Sequence, residues 1–304
     1  MSENNQVENP EGKQASYGAG KKEINISLIH PWRAFAFEVF LFSLSLGLGI
    51  LTGLRLNEIF KILNVSPEKI SAWQFIIYFL FATLFLLSVI YFLKFKKGKE
   101  IFFRVIFLSA IVIGNFFFFG LWLSDVPALL ITAVLVFLLL KESSLLVHNL
   151  ALIFAVAGVG AGLGLRLQPE IVVLLLLIFS VYDYIAVYKT KHMIKMAKEM
   201  IAQKAILGIV IPQSISGFGA QVKEIEPGGK FLVLGAGDII FPLILSCSLI
   251  PQGILNSLIV ALFSLFGLLA GFLFFISQKI RQPMPALPPI AFFSIIGYLI
   301  TKII

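Results

Sequence analysis

Three carboxylates fall inside long apolar stretches of this chain: Glu38, Asp183 and Asp238. An ionisable side chain at membrane depth costs about 2.5–3.5 kcal/mol on insertion scales, so each needs a reason to be there. Glu38 lies near the start of its stretch and close in sequence to Arg33, and an interfacial ion pair accounts for it. Asp183 and Asp238 are harder to dismiss. Asp183 precedes Lys189 by six residues, and Asp238 follows Lys230 by eight. At ~1.5 Å per helical residue both sit roughly 9–12 Å inside one and the same membrane boundary. Two carboxylates from different helices at one depth can share a proton, because like charges at close range do not both ionise. One then stays an acid while the other is a base, which is enough to activate water against an amide and protonate the leaving nitrogen. The bland alternative is two unrelated polar residues facing a bundle interior. Paired intramembrane aspartates would also suit a proton- or cation-coupled transporter.

The residues around the pair favour peptide chemistry. Gly235 and Gly237 remove side chains beside Asp238, so another backbone or a substrate can come close. Pro242 has no N–H, and the carbonyl of Asp238 loses its helical partner. Further on, Gln282-Pro283-Met284-Pro285-Ala286-Leu287-Pro288-Pro289 holds four prolines in seven residues and opens an apolar stretch without a regular helix. Irregular backbone at membrane depth is tolerated where it is buried or lines a wet cavity. Residues 221–225 or 230–234 offer a strand edge, and Pro285–Pro289 offer unpaired carbonyls and the free N–H of Leu287. Together they would clamp an extended peptide. An inverted repeat, the usual mark of a transporter, is not evident.

The elements that must position these residues follow from composition. The 304 residues are 59% hydrophobic and 13% charged, with a mean hydropathy of +0.98. Soluble domains are usually about 25% charged, so a water-soluble enzyme, a disordered chain and a nucleic-acid-binding domain are excluded. Cys247 is the one cysteine, and His30, His148 and His192 never stand four apart, so neither a disulfide nor a zinc site is expected. The chemistry calls for no cofactor. Stretches of about 20 apolar residues give nine candidate spans, at 32–54, 72–93, 101–123, 126–140, 145–165, 170–188, 231–250, 252–277 and 284–301. The expectation is an all-α polytopic membrane protein. Residues 1–28 read as a disordered tail, and 29–304 as one nine-helix domain. No secretory signal precedes the first span, which should stay in the mature protein. With nine spans the N-terminal tail and the even-numbered loops hold 19 Lys/Arg, and the opposite side holds five. Positive-inside then places the N-terminus in the cytoplasm and the C-terminus outside a cell membrane.

Gly158, Gly160, Gly162 and Gly164 in the fifth span, with Gly49 and Gly53 in the first, read as close helix packing. Asn115 reads as an interhelical hydrogen-bond partner. In the connection 189–230, Lys191, Lys195 and Lys198 share one helical face, which suits an amphipathic helix lying on lipid. After it, Ala205–Ile211 and Gln221–Ile225 are β-rich and suited to a short hairpin.

Tyr182-Asp183, Gly235-Ala236-Gly237-Asp238 and Pro285-Ala286-Leu287 resemble the YD, GxGD and PAL motifs of the presenilin and signal peptide peptidase intramembrane aspartyl proteases. Order, spacing and placement on spans six, seven and nine match across 32–301, and the short single chain looks most like archaeal members. Pro288 is presenilin-like, while Asp238-Ile239-Ile240-Phe241-Pro242 and Gln282 are similar to signal peptide peptidases. The resemblance implies a nine-helix presenilin-like fold with Asp183 and Asp238 catalytic. It also implies that Tyr182, Gly235, Gly237, Pro285, Ala286 and Leu287 shape the site or hold substrate. The implied substrates are transmembrane peptides or leftover signal peptides. The chain lacks the long insertion at which eukaryotic presenilins cut themselves. Homo-oligomerisation stays open, and nothing in the chain points to accessory subunits.

Overall fold

The computed structural model describes residues 30–65, 69–92, 96–141, 144–190, 200, 206–222, 231–279 and 282–303. The tail 1–28 and the lysine face at 191–198 lie outside the described residues. Nine α-helices occur among the described ones: α1 Pro31–Ile62, α2 Ala72–Phe92, α3 Lys96–Gly120, α4 Asp125–Lys141, α5 Leu145–Arg166, α6 Pro169–Tyr184, α7 Ala236–Ser248, α8 Ile254–Ile276 and α9 Leu287–Thr301. Two strands, β1 Gly208–Pro212 and β2 Phe231–Gly235, pair antiparallel between α6 and α7. Five helical stretches among the described residues are long and apolar enough to cross a membrane, and three more, Trp73–Phe85, Ala236–Gln252 and Leu287–Thr301, are apolar but shorter.

The core is built around α5 and α7. α5 packs against α1, α3 and α7, while α7 also meets α6, α8 and α9. Glycines set the spacing. A Cβ on Gly158 would come 2.5 Å from the carbonyl oxygen of Gly114 on α3, and one on Gly164 would strike Cys247 of α7. Gly49 of α1 and Gly160 of α5 both lie against Leu243, each leaving a Cβ only 2.5 Å of room. Small residues let backbones close up in lipid, where apolar burial supplies no contrast with the solvent. Asn115 does bridge helices: its Nδ2 donates to the carbonyls of Ile111 and of Ala151 on α5, both at 2.8 Å. Pro289 at the start of α9 rests on α8, where a Cβ at Gly271 would be 3.2 Å from its Cγ.

Four expectations are corrected. The apolar run 231–250 is not one helix, because its first five residues form β2 and the helix begins at Ala236. Phe231-Leu232-Val233-Leu234 is apolar enough to read either way, and pairing with the fully buried Gly208–Pro212 decides for strand. The described hairpin partner is Phe231–Gly235; of the expected 221–225, Gln221 forms a lone bridge with Ser144, and 223–225 lie outside the described residues. The α-helical rise that put both aspartates at equal depth thus holds in full for neither, since a π turn follows Asp183 and a strand precedes Asp238. Third, Glu38 makes no ion pair with Arg33 among the described residues, where the ion pairs are Arg55–Glu58 and Glu170–Lys302. It lies within electrostatic range of Asp238 instead. Helix one also continues to Ile62, since nothing between Arg55 and Ile62 breaks a helix.

Candidate active site

Asp183 sits near the end of α6, and the helix continues as one π turn, Ile185–Lys189. That turn is closed by the N–H of Thr190 on the carbonyl of Ile185, at 3.0 Å. Single π turns inside helices recur at functional sites because they redirect the side chains around them. Asp238 is the third residue of α7. Its Oδ2 accepts from the N–H of Gly235, at 3.2 Å, which ties the carboxylate to the last residue of β2. This is half of a capping box: the carboxylate reaches back to the residue before the helix, and glycine there has no side chain to return the bond.

The fold brings the two aspartates together. Both are buried, at 6% and 7% exposure, and Asp183 stands near enough to bear on the charge of Asp238. The rings of Phe179 and Phe241, one helical turn from Asp183 and Asp238 respectively, stack with centroids 4.6 Å apart. That contact draws the end of α6 against the start of α7. It could have been expected, since each Phe shares the helical face of its aspartate at i−4 or i+3 spacing.

The proline-rich segment joins the same site. The N–H of Leu287 donates to Asp183 Oδ2, at 3.3 Å. Leu287 and Pro285 are buried and Ala286 is half-buried. The N–H of Leu287 is therefore not free for a substrate, as the sequence suggested, but is engaged by Asp183. α9 begins at Leu287, with Pro288 and Pro289 in its first turn, where a missing N–H loses no helical bond. Gly235 and Gly237 flank Asp238 as expected from their order. A Cβ at Gly235 would come 3.1 Å from Asp238 Oδ2, whereas one at Gly237 would meet only Phe241 Cε2, at 3.8 Å. Tyr182 does not join the buried cluster, being 59% exposed on α6.

Two residues of α5 that sequence reasoning passed over complete the surroundings. Asn149 Nδ2 donates to the carbonyl of Val210 on β1, at 2.7 Å, and its Oδ1 accepts from the N–H of the same residue, at 2.9 Å. His148 Nε2 lies 3.0 Å from the carbonyl of Gly208, and since a carbonyl only accepts, Nε2 carries the proton. Two adjacent polar residues inside an otherwise apolar span were the available signal.

The family model described as "Signal-peptide peptidase, presenilin aspartyl protease" matches residues 39–304. Two solved structures of a presenilin family intramembrane aspartate protease, in C222 and P2 space groups, superpose with a TM-score of 0.57 each. Each is 21% identical in sequence; they cover 88% and 87% of this chain, and 97% and 96% of their own chains are matched. Among curated proteins no relative matches the chain. The transporter reading, weighed from the aspartate pair alone, finds no support. With the family matched from α1 to the C-terminus and the fold shared, this chain belongs to the signal-peptide peptidase and presenilin family and is a multi-pass intramembrane aspartyl protease.

Proposed function

We propose that Asp183 and Asp238 are the catalytic dyad and that the enzyme hydrolyses peptide bonds within single transmembrane segments or leftover signal peptides. One carboxylate, ionised, takes a proton from water as the oxygen bonds to the scissile carbonyl carbon. The other, protonated, gives its proton to the nitrogen as the C–N bond breaks. The observation that carries this reading is the convergence of three segments on one buried point: Asp183 at the π turn, Asp238 below β2, and the Leu287 N–H on Asp183.

Substrate is bound as a strand. A helical peptide keeps its amides bonded and shields its carbonyl carbons, so it must unwind, and lipid leaves each freed group unsatisfied at a cost of several kcal/mol. β2 supplies the partners. Successive residues of a strand point their N–H and C=O to opposite sides. Those of Val210 turn toward Asn149, so Ile209 and Ile211 face Leu234 and Leu232 of β2. The groups of Val233 then point away from β1, toward the side where an extended peptide can add. Strand addition of this kind draws affinity from the main chain and tolerates many side chains. Pro285 and Ala286 bound the site opposite β2, Gly237 leaves space beside Asp238, and Tyr182 meets the substrate or lipid at the outer face of α6. The nine helices are nine spans, with the N-terminus in the cytoplasm and the C-terminus outside, as the 19-to-5 division of Lys/Arg supports.

Purified protein incubated with a tagged transmembrane peptide should release two fragments. Asp183→Asn and Asp238→Asn should each stop cleavage while the bundle stays folded, because an amide keeps the shape but cannot exchange the proton. Appreciable proteolysis by either folded variant would remove that aspartate from the dyad.

A further inference from the structure

We infer that His148 and Asn149 of α5 are positioning residues that hold the β1–β2 hairpin in register, and thereby determine which peptide bond of the substrate is presented to the aspartates. The inference rests on the proposal that substrate adds as a strand to β2. Both side chains are 1% exposed, and neither touches the aspartates. Their targets are the outward-facing backbone groups of β1: the carbonyl of Gly208, and both the carbonyl and the N–H of Val210. The Asn149 amide thus stands where a neighbouring strand's peptide group would stand, and the outer edge of β1 is closed to any peptide. Among the described residues, the remaining edge of the sheet is that of β2.

The same contacts resist slippage. A shift of β1 by one residue would turn Ile209 or Ile211 outward and take their groups from β2. A shift by two in one direction would bring Pro212 to Asn149, and proline has no N–H for its Oδ1. Within the hairpin, Gly208 faces Gly235, and a Cβ at Gly208 would come 2.6 Å from the carbonyl oxygen of Leu234, so a slip that puts Ile209 or Leu207 there meets a steric clash. Beyond β2 the chain runs directly into α7, and the Gly235 N–H also bonds Asp238 Oδ2. Phe107 stacks against His148, with ring centroids 6.1 Å apart, and holds the imidazole in place. The start of α5 is pinned by the N–H of Leu145 on the carbonyl of Ala220, at 3.0 Å. The path from α5 to the carboxylate is therefore continuous.

The test uses the full chain and a tagged transmembrane peptide, with fragment masses read by mass spectrometry. Asn149→Leu and His148→Leu should still cleave, but with cuts spread to bonds about two residues away, since only even slips keep the same strand groups facing. KM should rise several-fold, more than kcat falls. His148→Gln, which restores a donor to the Gly208 carbonyl, should return cutting to the wild-type bond. In parallel, hydrogen exchange in the Asp183→Asn protein, where the peptide survives, should show Val210 protected throughout and Val233 protected only when peptide is present. Folded leucine variants that cut at the wild-type bond alone would overturn the register role while leaving strand addition to β2 standing. If the leucine variants do not fold, the exchange data decide: a Val210 amide that exchanges freely without peptide overturns the inference. A Val233 amide that gains no protection with peptide would overturn strand addition itself.

Discussion

Leu287 shows how much can rest on one backbone N–H. It is flanked by prolines at 285, 288 and 289, which have none to give, and its own reaches Asp183. Leu287→Pro should therefore do more than weaken substrate binding. It removes a donor from a carboxylate, and bonds to charged groups are worth about 1.5–3 kcal/mol, or roughly ten- to a hundredfold if the loss falls on the transition state. Steady-state kinetics should show kcat falling as well as KM rising, whereas Leu287→Ala, which keeps the N–H, should retain most of kcat. Equal losses in the two variants would mean that the side chain and not the N–H matters. The proposed dyad carries a pH prediction at the same scale. If the active state is singly protonated, rate against pH follows a bell whose limbs belong to the pair rather than to either residue. A rate that stays flat from acid to alkaline pH, on protein shown to remain folded, would count against this chemistry.

At the scale of elements, α5 serves two ends. Along its length glycines let α1, α3 and α7 approach, and at its start two polar side chains hold β1. The packing function is the more fragile. Gly158→Val places a branched side chain against the Gly114 carbonyl and Phe118. Overpacking of this kind costs about 1–3 kcal/mol, so the melting temperature in detergent should drop, with the surviving folded fraction still cutting at the usual bond. An unchanged melting temperature would mean that α3 and α5 separate more easily than their contact implies. The hairpin has a counterpart in the substrate. If unwinding limits the reaction, Gly or Pro near the scissile bond should raise cleavage and a run of Leu should lower it. Insensitivity of the rate to both changes would point to a step other than unwinding.

At the scale of the whole molecule, the proposed nine spans include two short helices. α7 has 13 residues and α9 has 15, short of the about 20 that a regular helix needs to span. β2 and the 3₁₀ turn Ile250–Gln252 extend α7 at its two ends, and the segment from Gln282 to Ala286 extends α9. Cysteine labelling can decide the orientation, and the chain suits it. Cys247 is fully buried, so a cysteine introduced near the end of a span is the reactive thiol. A membrane-impermeant maleimide added to intact cells should label Arg55→Cys and Lys69→Cys but not Lys97→Cys or Lys279→Cys. The reverse pattern would invert the assigned topology.

The sequence by itself determined the membrane class, the positions of most helices to within a few residues, and the pair of aspartates to watch. These are legible because each rests on local information: apolar length for the spans, and the cost of an isolated carboxylate for the aspartates. The partition of 231–250 into strand and helix was not legible, because an apolar run of that length satisfies both readings until a partner strand is in place. Nor was the partner itself, since β1 and β2 lie about twenty residues apart and strand pairing is non-local. Glu38 looked like a partner for Arg33 by proximity along the chain, yet the ion pairs among the described residues are Arg55–Glu58 and Glu170–Lys302. His148 and Asn149 carried no motif at all, because what they hold is a backbone, and a backbone leaves no mark in the sequence of side chains that recognise it. Tertiary structure alone decided which N–H meets Asp183 and which side chain takes the outer groups of β1, for both depend on where hydrogen bonds end after distant segments have paired.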